Sequence, residues 1–90
     1  MKREQVLTWL DTRRPVPPAT LRERLRGAVH DAPLDLAAHL TQHGRELLEG
    51  VAARPAGGRE LALDLLAADA FATYACEAQA EDGRGEGSNT

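Results

Sequence analysis

The sequence predicts an all-α fold, a small four-helix bundle-like domain over residues 1–80 followed by a disordered tail over 81–90, and three observations carry that expectation. The segment Arg59–Ala80 is apolar on most of its circumference when wound at about 100° per residue. β-branched residues are scarce, and there is one Trp, one Tyr and one Phe, a composition that disfavours strands. Proline- and glycine-rich breaks at Arg13–Pro18 and Arg54–Gly58 divide the chain into helix-sized pieces.

The first piece, Lys2 to about Thr12, is a short helix with Val6, Leu7, Trp9 and Leu10 on its buried side. So short a helix is unstable alone in water, so it must dock, with Trp9 as its anchor. Pro15 and the Pro17-Pro18 pair end it. The second helix ends near Val29, and two start signals compete for it. Pro18 suits a first turn, while Thr20 and Glu23 match a capping box. Leu21, Leu25, Ala28 and Val29 form its apolar stripe.

The third helix is expected to open at Asp31 or Pro33 and to run to Ala53, before Pro55. Leu36, Leu40, Leu47 and Val51 line its core side, widened by Ala37 and Leu48. Gly44 inside a helix costs about 1 kcal/mol relative to Ala, so it points to a close crossing with the Ala-rich fourth helix.

On the fourth helix, Leu61, Leu65, Ala68, Ala72, Ala75 and Cys76 form a main arc, and Leu63, Ala67, Phe71, Tyr74 and Ala78 a second. Asp69, Thr73 and Glu77 mark the polar side. A helix apolar on two arcs must be surrounded. The rest of the chain offers one long helix and two short ones, which leaves Leu63, Phe71 and Tyr74 as the expected uncovered interface of a homodimer or of a partner-helix complex. The tail after Ala80, EDGRGEGSNT, contains no large apolar residue.

A net charge of −3 supplies no overall field for nucleic acid or anionic membrane. The third helix, with Asp35, Glu46 and Glu49, makes a poor recognition helix. No stretch reaches the roughly 18 apolar residues of a membrane span. The N-terminal stretch does not read as a signal peptide. The single Cys76 reads as a buried free thiol in a reducing cytoplasm.

Asp35, His39, His43 and Glu46 are spaced 4, 4 and 3, which puts them on one stripe of the third helix. Imidazoles at i and i+4 with carboxylates a turn away can converge on a divalent metal. The same stripe also describes a polar flank meeting water. Asp64 projects between the apolar arcs, where it reads as one half of an ion pair with Arg22, Arg24 or Arg26 or with a cation of the loop, or else as an acid of raised pKa in a pocket. Gly57-Gly58-Arg59, with Arg54 nearby, could hold an anion at a helix start.

Two stretches resemble known families. Leu65–Ala78 is similar to the apolar helix that follows the first Asp-rich motif of polyprenyl diphosphate synthases, but the Asp-rich motifs themselves are absent here. Val16–Leu25 is similar to the pre-membrane stretch of some anti-sigma factors, whose zinc-binding Cys/His set is missing. Neither resemblance carries over a functional residue. With no catalytic motif, the residues lead to a non-enzymatic, cytoplasmic interaction or scaffold module without a cofactor, its partner itself or another protein. The metal-binding stripe is the alternative.

Overall fold

The computed structural model describes residues 1–53 and 58–87, with side chains to Asp82, and is all-helical. Helices α1 (Arg3–Leu10), α2 (Ala19–Ala28), α3 (Leu36–Ala53) and α4 (Arg59–Gly87) follow one another, with no strand among the described residues. None of these helices is long and apolar enough to cross a membrane. The expected break at 54–57, including Gly57 and Arg54 of the anion candidate, lies outside the described residues.

The principal packing is α3 along α4, with α2 also laid on α4. Gly44 makes the α3–α4 approach possible. A Cβ added there would stand 3.3 Å from the Ala68 carbonyl oxygen and 3.3 Å from Phe71 Cβ. The close crossing expected from a mid-helix glycine is therefore present, and its contact is Ala68 and Phe71.

Local chemistry moves several boundaries. Pro18 wins the start of α2, where its carbonyl accepts the Arg22 N–H at 2.9 Å, and Thr20 falls inside the helix without forming its capping box. α3 begins later than Asp31 or Pro33, because Asp35 is the residue that satisfies its first turn. Asp35 Oδ1 accepts the Ala38 N–H at 2.9 Å and its carbonyl accepts the His39 N–H at 2.8 Å. α4 continues to Gly87 instead of ending at Ala80, so the disordered tail expected from 81 gives way to helix over 81–87; residues 88–90 are outside the described set. Glu81 has tertiary partners that hold this extension. It accepts from Trp9 Nε1 at 3.1 Å and pairs with Arg13 at 3.1 Å.

The core direction of α4 also differs from expectation. Phe71, Ala67, Ala68, Ala75 and Ala78 are buried, so the helix points inward along a line between the two arcs. Leu65, from the expected main arc, is 45% exposed, and Cys76 is exposed rather than buried. On α3, Leu48 is 51% exposed while Leu40 and Leu47 are buried. At Gly44 the missing side chain leaves room for the α4 backbone at Ala68–Ala72, so the face of α4 that carries Ala68 and Phe71 is the one turned to α3.

α1 supplies Val6, Leu7 and Leu10 to the core. Trp9 is half-buried and stands edge-on against Tyr74, with ring centroids 6.1 Å apart. The Arg13 guanidinium covers the Trp9 ring at 3.8 Å. Of the three residues expected to be partly uncovered, the structure corrects Phe71 alone. Phe71 is fully buried within its own chain, Tyr74 is half-buried beside Trp9, and Leu63 is half-buried. α1 reaches the second arc at Tyr74, through Trp9.

Phe71→Ala is expected to lower the unfolding free energy by about 3–5 kcal/mol, and Leu65→Ala by under about 1 kcal/mol. Urea denaturation of the two variants measures the difference; equal losses would mean that the rotation of α4 is other than described.

Candidate functional site

Among the described residues, the buried polar ones are Asp64, His39 and His43. Asp64 is answered. Arg24 Nε of α2 lies 2.5 Å from its Oδ1, the ion pair its position on α4 calls for. The two histidines are answered less completely.

His39 and His43 lie one turn apart on α3 and are buried, while Asp35 and Glu46, the other two members of the stripe, are exposed. Ring centroids are 4.6 Å apart, and His43 packs on Phe71 at 5.5 Å. His39 Nε2 reaches the His30 carbonyl oxygen at 2.7 Å, a contact only an N–H can make. That places a proton on Nε2, while Nδ1 has no hydrogen-bond partner. Both ring nitrogens of His43 also lack a hydrogen-bond partner.

His30 completes the group. It sits in the connector between α2 and α3, and its ring meets His43 edge-on with centroids 4.7 Å apart. His30 Nδ1 lies 3.0 Å from the Asp31 carbonyl oxygen, and Nε2 lies 2.9 Å from Glu46 Oε1. Both contacts are to oxygen acceptors, an arrangement that favours the doubly protonated ring. His43 Nδ1 stands 3.6 Å from the same Glu46 oxygen. Among the described residues, His30, His43 and Glu46 form a group whose donor atoms all lie within 4.8 Å of one another.

Of the expected ligand set, the structure thus brings together His43 and Glu46. It ties His39 to a backbone carbonyl, and it uses Asp35 as the cap of α3. His30 is the residue that sequence spacing missed. The signal was available only as topology. A helix break of a few residues between two antiparallel-capable stretches returns the residue before it to the flank of the next helix.

The electrostatics follow from burial and from these contacts. Burial, with repulsion from His39 and His30, drives His43 down to about 4, so it is neutral near pH 7. The hydrogen bond to the Asp31 carbonyl, then that to Glu46, raises His30 above its ordinary value. The His30 hydrogen bond holds Glu46 below its own.

A second surface feature is apolar. Leu48, Leu65 and Leu66 are exposed large side chains on α3 and α4. Gly44, Ala68, Ala72, Ala75, Cys76 and Leu48 line a shallow groove between the two helices.

Comparison of the chain with protein families, curated proteins and solved structures finds no match.

A histidine that is neutral when folded but titrates near 6.5 when unfolded makes the unfolded state bind more protons below that value. Stability should therefore fall as pH drops from about 6.5 toward 4, by on the order of 2–3 kcal/mol over the full window. The raised His30 acts oppositely, adding stability below its unfolded value and losing it as pH rises through its folded one. Urea midpoints between pH 6.5 and 4.5 measure the His43 effect. His43→Leu should flatten the slope; an unchanged slope would assign it to other groups.

Proposed function

We propose that this chain is a small helical protein that binds a divalent transition-metal ion through His30, His43 and Glu46. The observation that carries the reading is His43, a fully enclosed imidazole with no hydrogen-bond partner at either nitrogen, set beside two half-exposed donors. Leaving a buried polar group unpaired costs about 1–3 kcal/mol, which a metal bond would offset.

Separations and proton positions give further support. Ligand atoms around a tetrahedral ion with bonds of about 2.0–2.1 Å stand roughly 3.3–3.5 Å apart. The Glu46 contacts to His30 and His43, at 2.9 and 3.6 Å, bracket that distance. The His30 Nδ1–H donates to a backbone carbonyl, the contact that turns the opposite nitrogen of a metal-binding histidine toward its ion. The Nε2 proton shared with Glu46 stands where the ion would bind, so metal displaces a proton. Two imidazoles and a carboxylate suit zinc and its neighbours.

Titration calorimetry with zinc at pH 7.5 tests the proposal. Binding is expected at one ion per chain, with stability raised by about 2.7 kcal/mol at a free zinc concentration near 100 Kd. His30→Ala and Glu46→Ala should abolish it, while Asp35→Ala should keep the stoichiometry. Absence of binding, or binding indifferent to His30→Ala, overturns the reading.

A second reading keeps the chain as a non-enzymatic interaction module, with its surface moved from Phe71 to the exposed Leu48, Leu65 and Leu66. Three exposed leucines on the two longest described helices are apolar surface that pairing with a second copy would cover. Light scattering should then show a dimer that Leu65→Glu dissociates; a monomer at high micromolar concentration rejects it.

A further inference from the structure

The metal site and the docking of the first helix act on one piece of chain, the connector spanning 29–35. On its outer side the N-terminal residues grip it. Arg3 Nε donates to the Val29 carbonyl at 3.0 Å, Arg3 Nη2 to the Arg26 carbonyl at 3.1 Å, and the Arg3 N–H to Asp31 Oδ1 at 2.6 Å. The Met1 ammonium donates to the Ala32 and Leu34 carbonyls at 2.6 and 3.1 Å, and the Ala32 N–H returns to the Met1 carbonyl at 3.2 Å. On its inner side the histidine cluster holds it, through His39 to the His30 carbonyl at 2.7 Å and through the His30 ring to Glu46. The two carbonyls that flank the His30 Cα, those of Val29 and His30, are therefore held by different partners, Arg3 and His39.

We infer that filling the His30–His43–Glu46 site strengthens the docking of α1, and that release of α1 weakens metal binding in return. This rests on the metal-binding reading above. An ion fixes the His30 ring, and with it the direction of the Val29 carbonyl that Arg3 grips. α1 is eight residues long and cannot hold its helix without docking. Its attachment is thus the element of the fold most responsive to a change in the connector. Linkage makes the effect reciprocal. Whatever metal adds to α1 docking, α1 docking adds to metal affinity.

Zinc titration of three chains tests this: wild type, Arg3→Ala, and Glu81→Gln as control. Arg3→Ala removes two bonds to the connector region without touching a ligand. Glu81→Gln weakens the other end of the α1 attachment, at Trp9 and Arg13, and leaves the connector alone. Arg3→Ala is expected to bind zinc about five- to tenfold more weakly than wild type, and Glu81→Gln within about twofold of it. Hydrogen exchange should show saturating zinc slowing the α1 amides severalfold in wild type and less in Arg3→Ala. Wild-type zinc affinity in Arg3→Ala, with binding still dependent on His30, overturns the coupling and leaves the metal reading standing. Equal losses in both variants overturn it as general destabilisation. No binding by wild type overturns both. If Arg3→Ala fails to fold by circular dichroism, wild-type exchange decides, and α1 amides unaffected by zinc overturn the inference.

Discussion

Everything in this fold is arranged around the contact between Gly44 and the α4 backbone. A Cβ at that position would stand 3.3 Å from the Ala68 carbonyl oxygen and from Phe71 Cβ, so the two longest described helices approach here closely enough that a side chain would make its neighbours give by a few tenths of an ångström. With the face of α4 that carries Ala68 and Phe71 turned to α3, Phe71 is buried and Leu65 is left outside. The contact also sets the environment of the preceding residue. With Gly44 against α4, the His43 ring is carried onto Phe71 and away from water. The glycine's helix penalty of about 1 kcal/mol is offset by the packing it permits.

The two buried polar sites among the described residues solve their problem differently. Asp64 receives a guanidinium from α2, whose planar fork and permanent charge suit a carboxylate. At the histidine cluster the groups change charge instead. Burial keeps His43 neutral, while the contacts of His30 with Asp31 and Glu46 favour its cationic form at the edge of the cluster.

Much of this was legible in the sequence, and the losses have specific causes. The four helices, the crossing at Gly44 and an arginine for Asp64 follow from periodicity, from the cost of a helical glycine and from the expense of a buried carboxylate. The phase of α4 does not follow, because Ala and Leu surround the helix and pattern alone cannot choose among near-equal faces; one contact on another helix decides it. Asp35 looked like a ligand because it shares a stripe with His39 and His43, yet the first turn of α3 has a prior claim on a carboxylate at that position. His30 was missed for the opposite reason. It belongs to no stripe, and only the path of the connector brings it to Glu46.

The stacking at the far end of α1 gives the protein a built-in optical reporter. The chain has one tryptophan and one tyrosine, and the fold sets Trp9 and Tyr74 edge to face with centroids 6.1 Å apart. At that distance light absorbed by the tyrosine passes to the indole, and the covering Arg13 and the Glu81 acceptor shape the indole's emission. Because Trp9 rides on α1 and Tyr74 on α4, the intensity and colour of intrinsic fluorescence register the position of the first helix directly, with no label attached.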